Sequence, residues 1–145
     1  MIAPMRWWDI DDVMRIEREV FASTAWTPAQ FWSELAQGDR TYVVARDGDA
    51  VVGYAGLMAR RPTADIQTIA VAPGSRRRGI ARALLRHLLD VADLSHCTET
   101  LLEVRADGAA AISLYTSEGF ETISLRANYY GPDQDALIMR RRGHA

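Results

Sequence analysis

Apolar residues near the start of the chain fall at helical spacing. Ile10, Val13, Met14, Val20 and Phe21 share one face of a helix running from about Asp9 to Phe21. Asp9 reads as its N-cap, with Asp11 and Asp12 in the first turn. Residues 2–6 suit a short strand, weakened by Pro4. Ser23 to Trp26 is a connector. Thr27-Pro28-Ala29-Gln30 is a capping box with proline at the first helical position, so a second helix spans Pro28 to Ala36 and ends at Gly38-Asp39. The pattern then changes to strands. Thr41–Ala45 and Ala50–Met58 flank Asp47-Gly48, a hairpin signal, and a third strand covers Ala64 to Val71. Helical spacing returns with Ile80, Leu84, Leu88, Val91 and Ala92, the face of a helix covering a sheet. Thr98–Val104 is the next strand. Asp107 caps a short helix, Gly108 to Glu118, stopped by Gly119. Glu121–Leu125 and Asp135–Met139 close the chain as two strands of a hairpin over Tyr129-Tyr130-Gly131-Pro132.

This order predicts a single α/β domain over residues 1–145, with one mixed sheet and a helix crossing between its central strands. Composition agrees: 48% hydrophobic and 25% charged residues are those of a globular chain rather than a disordered one. The net charge of −2 gives no global reason to bind nucleic acid or an anionic membrane. Cys97 is the single cysteine, which excludes an internal disulfide and a cysteine-based metal site. The N-terminus has no signal-peptide core, and the apolar run Ala50–Ala59 is too short to span a bilayer. A reducing cytoplasm is the expected compartment. The basic tail Arg140-Arg141-Arg142 reads as a solvated end.

Charge changes the picture in one place. Gln67 to Arg82 reads as a strand, a loop carrying Arg76-Arg77-Arg78-Gly79, and a helix start. Free N–H groups and the positive end of a helix dipole seat a phosphate there, and Gly79 allows close backbone approach. The loop is neither a P-loop nor the dinucleotide fingerprint, because Ile80-Ala81 follows Gly79 and the glycines lie away from the first strand. Three residues stand out beyond it, each with two open readings. Glu17 falls on the apolar helix face, either as a hydrogen-bonded structural group or lining a cleft. Glu103 sits in a strand expected to be buried, paired with Arg105 or another arginine, or catalytic. Tyr115 is either a core tyrosine or a phenol converging with Glu103 beside the loop. His87, His96 and His144 have no metal-ligand spacing, and Ser75, Ser113 and Ser117 no nucleophile elbow.

Arg76-x-x-Gly79-x-Ala81 after Ile69-Ala70-Val71 resembles the acetyl-CoA motif of the GNAT N-acetyltransferases. Leu102-Glu103-Val104-Arg105, Ala109-Ala110-Ala111-Ile112-x-Leu114-Tyr115, Gly119-Phe120 and Arg126-x-Asn128-Tyr129-Tyr130 follow in order. That series is similar to the bacterial ribosomal-protein alanine N-acetyltransferases of the RimI type. It covers Gln67 to Met139 strongly, with weaker agreement at Ile16-Glu17, Phe21 and Ala25-Trp26.

The resemblance implies acetyl-CoA as co-substrate, a protein N-terminus as acceptor and no metal. It implies two splayed central strands, with the pantetheine arm pairing along Ile69, Ala70 and Val71 like an added strand. The pyrophosphate would sit on the backbone of Arg77, Arg78, Gly79, Ile80, Ala81 and Arg82. Glu103 would be the general base and Tyr115 the acid for the leaving thiolate. Glu17, Trp26, Tyr129 and Tyr130 would contact the acceptor; for the tyrosines, a hairpin simply packed on the sheet is the other reading. One departure stands at Gly108, where the family often has an asparagine that touches the cofactor. The alternatives are acetylation of a lysine or small amine, and a non-catalytic acyl-CoA sensor or interaction module.

Overall fold

The computed structural model describes residues 1–143, so His144 lies outside the described residues. The strands are β1 (Ile2–Pro4), β2 (Arg40–Asp47), β3 (Ala50–Arg60), β4 (Thr63–Val71), β5 (Glu99–Arg105), β6 (Glu121–Gly131) and β7 (Gln134–Arg142). The helices are α1 (Ile10–Phe21), α2 (Pro28–Leu35), α3 (Ile80–Leu94) and α4 (Ala109–Ser117). One seven-stranded sheet has the order β1-β2-β3-β4-β5-β7-β6, and only the β4–β5 pairing is parallel. The expected α/β domain with a mixed sheet is the one observed.

Strand alternation divides the core into two layers. Tyr42, Val44, Tyr54 and Ala70 face α1 and α2, meeting Val13, Met14 and Phe31. Val43, Ala45, Ala55, Leu57 and Val71 face α3, meeting Leu84 and Leu88. Leu85 and Leu89 turn α3 toward a third cluster of Leu102, Val104, Tyr115, Phe120 and Met139. Helix α3 thus underlies both β4 and β5, while α1 and α2 cover only the β2–β4 end of the opposite face.

Several local expectations are corrected. Asp9 does not cap α1, because a 3-10 turn over Trp7–Asp9 runs straight into the helix and gives Asp9 a helical backbone. Its carboxylate instead accepts the Arg6 N–H at 2.9 Å and pairs with Arg46 at 2.5 Å. Asp107 does not cap α4 either. Gly108 occupies that position, and the Asp107 carboxylate is drawn to the Arg105 guanidinium at 3.0 Å, which holds it below the usual carboxylate range. The last hairpin turns at Pro132-Asp133, so Tyr129 and Tyr130 belong to β6 rather than the turn. Arg140–Arg142 is no solvated end but the close of β7, in register with Leu101, Thr100 and Glu99 of β5. Strand β5 is not buried on both faces: Leu102 and Val104 are inside, and Glu103 is exposed. Among the described residues no helix is long and apolar enough to cross a membrane.

Candidate active site

The site begins with two strands that part. β4 pairs with β5 only over Thr63–Asp65 against Glu99–Leu101, although β4 continues to Val71. The cause lies on the other edge of β4. There the register with β3 slips between Gly56/Thr68 and Leu57/Ile66, leaving Gln67 as a bulge. A bulge bends its strand and increases its twist, which carries the end of β4 away from β5. The Ala72 N–H bonds to the Val52 carbonyl of β3 at 2.8 Å. N–H groups of an extended chain point alternately to the two edges, so those of Ala70 and Ala72 face β3, and those of Ile69 and Val71 face the gap.

At the end of β4 the chain reaches the arginine loop. Arg77 (φ 65°) and Gly79 (φ 76°) are both left-handed. The first backbone bond into α3 is the Ala83 N–H to the Gly79 carbonyl at 3.0 Å. The N–H groups from Arg77 to Arg82, including those of Arg78, Ile80 and Ala81, make no backbone bond among the described residues. Together with the helix dipole, this array of free N–H groups suits an anion. Two arginine side chains point elsewhere: Arg78 pairs with Asp47 at 2.9 Å, and Arg82 with Glu118 at 3.3 Å.

On the uncovered face beside the gap lies a cavity of about 430 Å³. It is lined by Trp26, Asp65, Gln67, Glu103, Tyr129 and Tyr130, over an apolar floor that includes Leu101 and Ile138. Its aromatic rim is built by β6. The β6–β7 register breaks between Arg126 and Gly131, Asn128 is left-handed, and the irregular stretch carries both tyrosines over the sheet. Their rings meet edge to face at 5.1 Å. Arg126 stacks on Tyr129 at 5.0 Å and reaches a Glu103 oxygen at 3.4 Å. A hydrogen bond to Glu103 raises the Tyr129 phenol, and burial, then the Glu103 charge, raises that of Tyr130.

Tyr115 lies on the other side of β5. It packs under Leu102 and Val104 with its ring 5.8 Å from Phe120. Burial, with a smaller contribution from Tyr130, pushes its phenol up to about 12. Glu103 and Tyr115 therefore do not share a wall of one pocket; they flank the opening from opposite faces. At Gly108 an added Cβ would stand 3.2 Å from the Arg105 carbonyl, so a side chain there would crowd the β5–α4 turn.

Glu17 is apart from the cavity. It is 1% exposed, and its oxygens accept the Tyr54 hydroxyl and, at 3.0 Å, the Trp26 N–H. It thereby fixes the backbone of Trp26, whose ring rests on Phe31 at 5.0 Å. Glu17→Ala leaves both donors unpaired, and at roughly 1–3 kcal/mol per unsatisfied buried group the variant should lose about 2–6 kcal/mol of stability in urea unfolding. Sequence reasoning passed over Asp65 and Ile138, and read Gln67 only as the start of the strand that leads to the arginine loop. Its place as the one charged residue of β4 was the available signal for Asp65.

The chain matches the model of the Acetyltransferase (GNAT) family over residues 7–120, and it belongs to that family of acetyl-CoA-dependent N-acetyltransferases. It is 42% identical over 139 residues to N-alpha-acetyltransferase RimI of Mycobacterium tuberculosis, covering 92% of this chain and 86% of that protein. An uncharacterized protein of Mycobacterium leprae is also 42% identical over 139 residues, 92% of this chain, which spans only 38% of that longer relative. The crystal structure of the ribosomal-protein-S18-alanine N-acetyltransferase from Escherichia coli superposes with a TM-score of 0.91 at 30% identity, covering 100% of this chain and 95% of that one.

Proposed function

We propose that this protein acetylates the N-terminal α-amino group of a protein, with a ribosomal protein beginning with alanine as the acceptor. The observation that carries this reading is the opening between β4 and β5, with the anion seat at the end of β4 and the Glu103 cavity on one face. The activities named for the Mycobacterium tuberculosis and Escherichia coli relatives support the acceptor class.

The residues present fit acetyl-CoA. Free N–H groups from Arg77 to Arg82 suit its pyrophosphate, and the open edge at Ile69 and Val71, with Ala70 between them, suits its amide-bearing arm. When bound, acetyl-CoA supplies an acetyl group activated as a thioester. The Val71 or Ile69 N–H is aimed into the gap, where a donor to the acyl oxygen contributes about 10²–10³ in rate. Glu103 takes a proton from the incoming amine directly or through water. The α-amino group, with an ordinary pKa of roughly 7.7–8.0, arrives at neutral pH mainly as the ammonium and must lose that proton before it attacks. Tyr115 remains protonated, with its phenol near 12. An alkyl thiol lies near 8.5, so complete transfer from Tyr115 is uphill and its part is hydrogen-bond donation as charge develops on sulfur. Trp26, Tyr129 and Tyr130 wall the acceptor channel, and Glu17 acts through Trp26.

The test is thiol release from acetyl-CoA with short peptides that differ only in the first residue. An alanine-starting peptide should give the highest kcat/KM. A best acceptor with a blocked N-terminus and a free lysine would replace this reading with side-chain acetylation, and no peptide-dependent thiol would replace it with a binding role.

A further inference from the structure

Asp65 has no role in the chemistry described above, and its position is unusual. It stands opposite Leu101 at the last paired position before β4 and β5 part. Its neighbour Ala64 is buried against α3, so Asp65 projects to the opposite face, where it lines the cavity with Glu103. The other charged groups around it are accounted for. Glu99 and Glu103 face it from β5 and Arg60 from β3, while Arg140 and Arg142 of β7 share that sheet face by register. Cys97 lies close enough to feel the Asp65 charge. Glu99 accepts the Thr63 hydroxyl at 3.1 Å, and Glu103 is met by Arg126. Asp65 makes no salt bridge or side-chain hydrogen bond among the described residues. Burial first, then Glu103 and Glu99, push its carboxyl above its ordinary value. A half-buried, unpaired carboxylate opposes folding, and a cation in the cavity would relieve that cost.

We infer that Asp65 is a specificity-determining residue of the acceptor cavity, holding the substrate ammonium beside Glu103. This rests on the N-terminal acetylation proposed above. The proton passes from the ammonium to Glu103, the nitrogen lone pair becomes free to attack, and Asp65 keeps its charge throughout. Asp65 is a positioning residue in that scheme; the reacting proton never resides on it.

Steady-state kinetics of Asp65→Asn with an alanine-starting peptide test the idea. A lost charge-assisted hydrogen bond should raise the peptide KM roughly ten- to a hundredfold near pH 7, with kcat and the acetyl-CoA KM little changed. The deficit should shrink at pH 9, where the amine is already neutral, and Asp65→Glu should recover part of it. Thermal melting adds a readout that a structural role would move the other way. A carboxyl raised by folding costs stability above its folded pKa and none below the unfolded one, so Asp65→Asn should melt at an equal or higher temperature at pH 7. An unchanged peptide KM in the folded variant, or a lowered melting point, overturns the role of Asp65 while the acetylation reading stands. A wild-type protein inert toward every α-amine peptide overturns both.

Discussion

Glu103→Gln should lower kcat toward an alanine-starting peptide by about 10²–10⁴-fold at neutral pH, the usual worth of a general base. The geometry behind this is the alternation of β5. Leu102 and Val104 anchor the strand in the core, and Glu103 projects into the acceptor cavity next to the gap. Glutamine preserves its size and much of its hydrogen bonding, so folding and acetyl-CoA affinity should hold. The deficit should narrow as pH rises through the roughly 7.7–8.0 range of the α-amine, because a neutral amine needs no base. Thiol release measured from pH 6 to 9.5 checks both points. An unchanged rate, or a loss independent of pH, would remove Glu103 as the proton acceptor.

Replacing Gly79 by valine should weaken acetyl-CoA binding by more than about a hundredfold. The reason is the backbone, since a Cβ at Gly79 meets nothing within 4 Å. At φ 76° an L-residue costs about 1–2 kcal/mol, and a β-branched one more. The loop then relaxes to a negative φ and turns the Arg77–Arg82 N–H groups away from their common focus. Several charge-assisted hydrogen bonds to phosphate are lost together, at roughly 1.5–3 kcal/mol each. Arg78→Ala is the contrasting case: its guanidinium is engaged by Asp47, so only a few-fold loss is expected. Titration calorimetry with acetyl-CoA distinguishes the two. Equal, small losses in both variants would show that backbone geometry does not govern the seat.

The acetyl-CoA half of the site was more legible than the acceptor half. A phosphate seat is a local object: a strand, a loop with a glycine and a helix start, all adjacent in the chain. Gln67 to Arg82 is therefore readable as such a seat from the sequence. The cavity proposed for the acceptor is assembled from four separated segments, around Trp26, Asp65, Glu103 and Tyr130. Asp65 showed only as the one charge in its strand, because strand period alone does not say which face will be left bare. Glu17 showed the opposite ambiguity. A carboxylate on an apolar helix face demanded a partner, but only packing supplied Tyr54 and the Trp26 N–H.

Residue order and spacing alone determined the elements, their sequence along the chain, the α/β class and the loop proposed as the phosphate seat, because each depends on contacts within a few residues. Asp9 and Asp107 mark the limit even there: a 3-10 turn set Asp9 in a helical backbone, and Arg105, two residues away, drew the Asp107 carboxylate from its cap. Tertiary structure decided that the Gln67 bulge would part β4 from β5, that α1 and α2 would leave the β5 end of one face uncovered, and that Glu103 and Tyr115 would flank the opening from opposite sides. Those outcomes depend on register and on which faces find partners, and both are settled only when strands distant in the chain meet.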